Sequence, residues 1–162
     1  MTHGSTAASL ENNLDTELPA YDGEPYRLEG IAWHQGWNDR IDEALNEEYE
    51  SNAVHFVNDL RAEFEIPDLP FVLATTGMAG WAESHPRALS LMEAQLAVPG
   101  NPGLLEPTGV GAVDTRSFWQ PADESPADAG YLWNRNALTH LQIGAGLAEQ
   151  MVEFVPGCEE SL

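Results

Sequence analysis

A chain of 162 residues with 43% apolar content holds one compact core and not two. Its 27 acidic residues outweigh 6 basic ones, all arginine, for a formal charge of -21; such a surface repels phosphate backbones and anionic lipid, so neither nucleic acid nor a membrane surface is expected as partner. The single Cys158 excludes an intrachain disulfide and a cysteine-based metal site. Carboxylates in excess without lysine suit a protein that stays soluble at high salt, although GC-rich codon usage replaces lysine by arginine equally well.

In chain order, Met1 to Asn13 offers neither a basic start nor a continuous apolar stretch, so no signal peptide is expected. No apolar run is long enough to span a bilayer. Read as written, the chain is soluble and not exported, a reading that a longer upstream product would change. Residues 1–9 read as a disordered lead-in, and Leu10 to Leu18 as the end of a helix stopped by Pro19. Residues 10–155 read as the organised portion and 156–162 as a tail.

Three short apolar runs bounded by turn residues read as strands: Leu28 to Trp33, Phe71 to Thr75 and Gly109 to Asp114. Between the first two, Ile41, Leu45, Tyr49, Ala53, Phe56, Leu60 and Phe64 recur at helical spacing, with Asp42, Glu43, Glu47 and Glu48 near the start, where carboxylates favour the helix dipole. A second helix opens at Ser84-His85-Pro86 and closes at Pro99-Gly100. A third runs from about Arg135 to Val152, with Asn134 as cap and Leu138, Leu141, Ala145, Ala148 and Val152 as its buried stripe. The alternation of strand and helix calls for a parallel sheet with right-handed crossovers, its strand tips sharing one edge. The expected class is therefore α/β, a three-layer parallel sheet with helices on both faces, incomplete at the N-terminal side because an open sheet of this kind uses more strands. The loop from Ser117 to Tyr131 is long enough to carry function.

The run Trp33-His34-Gln35-Gly36-Trp37-Asn38-Asp39 ends the first strand, where an open α/β sheet presents ligand-contacting groups. Gly36-Trp37-Asn38-Asp39 matches the Gly-x-Asn-Asp block of SGNH-type esterases, in which the asparagine amide donates to a developing oxyanion. Asn38 or Asp39 equally well caps the helix that follows. His34 is a site candidate or a structural imidazole beneath the turn, whereas His85 and His140 read as surface or cap residues. No histidine or carboxylate pair has metal-ligand spacing, so neither a metal nor another cofactor is expected. Trp37, Trp81, Phe118, Trp119, Tyr131 and Trp133 fall in loops, where aromatic rings stack on sugars or serve as lids over the sheet edge.

With that run, the blocks Glu48-Tyr49-Glu50, Leu69-Pro70-Phe71-Val72, Thr76-Gly77-Met78 and Gly130-Tyr131-Leu132-Trp133-Asn134-Arg135-Asn136-Ala137 together resemble the sialate O-acetylesterase-like domain of carbohydrate esterase family 6. The resemblance covers roughly residues 10 to 153. It implies an SGNH-like, flavodoxin-like three-layer α/β domain that removes acetyl groups from sugars by a serine mechanism, with acetylated carbohydrate as partner. By position, Gln35 and Gly36 become oxyanion-side or substrate-positioning groups, with His34, Trp37, Asn38 and Trp133 beside them. The family's nucleophile, a serine in a Gly-Gln-Ser-Asn turn, is absent from this sequence. Leu132 stands where related sequences carry the histidine base, and leucine accepts no proton. Asp128 lies near the place of the orienting acid, where a loop capping role is the alternative. The expected product is the C-terminal part of a carbohydrate O-acetylesterase-like domain, inactive alone; a non-catalytic glycan-binding module and a degenerate fragment are the alternatives.

Overall fold

The structure, a computed structural model, describes residues 27–155, so the expected lead-in, the Leu10 to Leu18 helix and the tail lie outside the described residues. In chain order come β1 (Ile31–Trp33), α1 (Trp37–Ile41), α2 (Glu43–Glu63), β2 (Phe71–Ala74), α3 (Pro86–Ala97), β3 (Val110–Val113) and α4 (Ala137–Val152), with short 3-10 turns between them. The strands form a parallel sheet in the order β1-β2-β3, with Ile31 beside Phe71 and Phe71 beside Val110. Central β2 is buried throughout, and its alternation divides the core. Phe71 and Leu73 meet Val54, Val57, Val98, Leu104 and Val110 on the face that α2 and the end of α3 cover. Val72 and Ala74 meet Met78, Trp133, Ile143 and Leu147 beneath α4. The α/β class and the helices on both faces are thus as the sequence predicts. No described helix is long and apolar enough to cross a membrane.

Side-chain chemistry fixes where the elements begin. The Asp42 carboxylate accepts from the Leu45 N–H at 3.1 Å and opens α2, and Pro86 occupies the first turn of α3. Asn136 opens α4 by accepting from the N–H groups of Leu138 at 3.0 Å and Thr139 at 3.3 Å. At the far end of the sheet, the guanidinium of buried Arg61 donates to the carbonyls of Leu69 (3.0 Å), Thr108 (2.8 Å) and Glu106, tying the end of α2 to the segments that enter β2 and β3.

Three expectations need correction. The apolar line from Ile41 to Phe64 is not the inward line of one helix, because the chain breaks at Asp42. Ile41 belongs to α1 and is exposed with Leu45, while Tyr49, Ala53, Phe56 and Leu60 of that line do pack inward, joined by Asn46, Val54, Val57 and Arg61. In α4 the predicted stripe lies on the wrong side: Leu141 is 70% and Leu138 51% exposed, Ala145 and Ala148 are exposed, and Thr139, Ile143 and Leu147 are buried. This helix is apolar almost all round, so periodicity does not choose its face; close approach does. A Cβ at Gly146 would stand 3.1 Å from Val113 Cγ1 and 3.3 Å from Phe118 Cε2, so this glycine lets α4 settle on β3. Finally, the cap of α4 is Asn136 and not Asn134, which sits in a left-handed stretch two residues earlier.

Candidate functional site

In a parallel sheet the carboxyl ends of the strands meet at one edge, and here the turns after β1 and β2 enclose a cavity of about 270 Å3. His34, Gln35, Gly36, Trp37, Asn38, Thr76, Met78 and Trp133 line it. The size suits a small ligand, at the low end of the range for binding pockets.

Gly36 allows the first turn to exist. It has φ +149°, and a Cβ there would stand 2.8 Å from both Thr76 Cγ2 and Gln95 Nε2. The Gln35 side-chain amide donates to Asp39 at 2.6 Å, and the Gln35 carbonyl accepts from Gln95 Nε2 at 3.0 Å and from the Tyr49 hydroxyl at 3.4 Å. Burial pushes the Tyr49 phenol up from its ordinary value, which keeps it a donor. Asn38 caps neither helix: α1 starts at Gly36 without a side-chain bond, and Asp42 caps α2. The Asn38 side chain is left on the cavity lining.

The β2 and β3 tips are stitched by threonines. The Thr115 hydroxyl donates to the Thr75 carbonyl at 2.8 Å and accepts from the Gly77 N–H at 3.2 Å, and the Thr115 N–H donates to the Thr75 hydroxyl at 3.0 Å. Beside them, Arg116 pairs with Asp114, holding that carboxyl below its ordinary range, and stacks 4.1 Å over the exposed Trp81 ring.

His34 leans on Trp133 with ring centroids 5.6 Å apart. Desolvation by the surrounding protein and the nearby His140 lower its pKa, against a hydrogen bond with the Thr75 backbone that raises it. His34 as a residue nonetheless remains exposed to solvent. Trp37 is held between Tyr131, at 5.7 Å, and the Arg40 guanidinium, at 5.2 Å, and Arg40 is itself paired with Glu83.

Trp133 reaches the cavity through an unusual backbone. Trp133, Asn134 and Arg135 have φ of 52°, 52° and 56°, three successive non-glycine residues in the left-handed region. Asn134, 1% exposed, accepts from the Ala129 N–H and donates to the Gln120 carbonyl, both at 3.0 Å. The Asn136 amide donates to the Glu124 carbonyl at 3.2 Å and to Ser125 Oγ at 3.0 Å. These amides fasten the loop that presents Trp133.

The structure therefore brings together His34, Gln35, Gly36, Trp37, Asn38 and Trp133. Asp128 and Leu132 are both exposed and outside the cavity lining, Leu132 lying between Tyr131 and Trp133, whose rings touch the turn. No lining residue is serine, cysteine or a carboxylate. Among the described residues no three His, Cys, Asp or Glu side chains converge on one point. Sequence reasoning missed Thr76 and Met78 as lining groups and Gln95 as their support. Gln95 did leave a signal, as an amide in the otherwise apolar inward line Ala88, Leu91, Met92 and Val98. His140 is exposed, in keeping with its reading as a surface residue, and its charge acts on His34.

No curated protein matches the sequence. The solved structure of a protein from Arabidopsis thaliana is similar at a TM-score of 0.54 and 21% identity, over 79% of this chain and 46% of that one, which shows a shared fold. This chain thus spans under half the length of that neighbour. A family sequence profile described as carbohydrate esterase, sialic acid-specific acetylesterase matches residues 12–124, well over half of the chain. The chain belongs to this carbohydrate esterase, sialic acid-specific acetylesterase family.

Proposed function

We propose that residues 10–155 are the substrate-side portion of a carbohydrate O-acetylesterase-like domain, which binds an acetylated sugar but does not hydrolyse it unaided. The observation that carries this reading is the cavity lining: amide, imidazole and indole groups converge at the strand tips without a serine, a cysteine or a carboxylate. Serine-dependent ester cleavage needs a nucleophile, a base and oxyanion donors. Gln35, Gly36 and Asn38 are assigned to the oxyanion side, and His34, Trp37 and Trp133 to the sugar. Asp39 holds the Gln35 amide, so that amide contributes to an oxyanion only if it leaves the carboxylate. Leu132 leaves the base position empty of any proton acceptor.

Calorimetric titration with an O-acetylated methyl glycoside and its deacetylated parent, beside a p-nitrophenyl acetate assay, tests the reading. Binding at least tenfold tighter for the acetylated sugar, with hydrolysis at the buffer rate, is expected. Equal affinity for both sugars, or no binding, would overturn it. A second reading, glycan binding without any link to hydrolysis, is favoured by half-exposed Tyr131 over Trp37 and by exposed Trp81. Under that reading affinity climbs with oligosaccharide length, as further sugar faces find aromatic rings.

A further inference from the structure

Gln95 is fully buried on α3, and each polar atom of its side chain has partners. Its carbonyl oxygen accepts from the Thr76 N–H at 2.8 Å and the Thr76 hydroxyl at 3.3 Å. Its amide nitrogen donates to the Gln35 carbonyl at 3.0 Å and reaches the Tyr49 hydroxyl at 3.4 Å. Gln35 closes the turn after β1 and Thr76 the turn after β2, and both line the cavity. Gly36 lies against the same amide so closely that it has no room for a Cβ.

We propose that Gln95 is the positioning residue of the cavity: one side-chain amide, accepting on one side and donating on the other, fixes the Gln35–Gly36 turn relative to Thr76. The assignment of a ligand to this cavity rests on the acetyl-sugar reading above; the clamp itself does not. An amide is required because the two turns present opposite demands. Thr76 offers donors and Gln35 offers a carbonyl. A carboxylate in this place satisfies Thr76 and turns a second acceptor on the Gln35 carbonyl, whereas a protonated carboxyl donates and reproduces the amide. Methionine fills the volume without either bond.

The test pairs two variants with two readouts. In Gln95→Met, hydrogen exchange of the Thr76 amide should accelerate at least tenfold while the Val57 and Val72 amides keep their protection; unchanged Thr76 exchange would overturn the clamp. In Gln95→Glu, Thr76 keeps its acceptor and its protection. Affinity for an O-acetylated methyl glycoside should fall about tenfold at neutral pH and return as the introduced carboxyl is protonated on acidification. His34, Asp39 and Tyr49 stand around the same turns in both proteins, so a wild-type series run at the same pH values removes their contribution. An affinity in Gln95→Glu that equals wild type at neutral pH, or a loss that acid does not reverse, also overturns the assignment. If the wild type does not bind the glycoside, the acetyl-sugar reading fails while the exchange of Thr76 still decides the clamp. Should Gln95→Met not fold, the Gln95→Glu affinity series decides the assignment, with the outcomes already given.

Discussion

Removing the Asn134 amide tests whether the left-handed loop is held by the bonds described. In Asn134→Ala the Ala129 N–H and the Gln120 carbonyl each lose a partner in an environment where Asn134 itself is 1% exposed. A buried polar group left unpaired costs about 1–3 kcal/mol; the Ala129 N–H is left so, while the Gln120 carbonyl keeps the Ser125 hydroxyl at 3.4 Å, which gives roughly 2 kcal/mol in all. At φ 52° alanine adds about 1 kcal/mol that asparagine partly escapes and glycine escapes fully. The expected loss is thus about 3 kcal/mol for Asn134→Ala and about 2 kcal/mol for Asn134→Gly. Asn134→Asp keeps the acceptor toward Ala129 but points a carboxylate oxygen at the Gln120 carbonyl and buries its charge, so it should cost about 3–5 kcal/mol. Total stabilities of about 5–15 kcal/mol make these differences large. Urea unfolding followed by far-UV circular dichroism at constant pH measures all three. A loss under about 1 kcal/mol for Asn134→Ala, or a glycine variant less stable than the alanine one, would refute the account of the loop.

Burial and His140 lower the His34 pKa, so the folded state prefers the neutral ring. His140→Gln should therefore raise it in an NMR titration; an unmoved value would separate the two histidines. By linkage, the unfolded chain binds the proton more tightly, so stability is complete above the ordinary histidine value of about 6.5 and is lost as pH falls through the lower folded value. His34→Gln should flatten that acid limb in thermal melts. Leu132→His in this chain should raise p-nitrophenyl acetate hydrolysis no more than one equivalent of free histidine does, because no serine lines the cavity; a larger rise would reveal another nucleophile. Gly36→Ala meets two buried partners at 2.8 Å and a strained backbone, and should lower unfolding stability by about 3 kcal/mol and abolish glycoside binding; a neutral effect would mean the turn is free to relax.

The strands were legible because each is a short apolar run between turn residues, and Pro86 marked the start of α3. Which face each helix buries was not. Around α4 apolar residues occupy nearly every direction, and the deciding contact, Gly146 against Val113 and Phe118, belongs to tertiary packing. The block after β1 was legible as a site since a motif stands at a strand tip. Thr76 and Met78 joined it through the parallel register, which no local pattern encodes. The left-handed run at Trp133 carries no glycine to announce it, and its supports, Gln120 and Ala129, are set by the fold of the whole loop.

Among the described residues β1 lies at one margin of the sheet, with Ala32 exposed. Open strand margins invite pairing between copies, which proteins oppose with charge. Here the opposing charge is the whole surface, at -21. At 0.1 M salt that repulsion reaches about 10 Å, twice the spacing between paired strands, but at 1 M only about 3 Å. Raising the salt from 0.1 M to 1 M therefore strips away most of the long-range repulsion between copies that this charge provides.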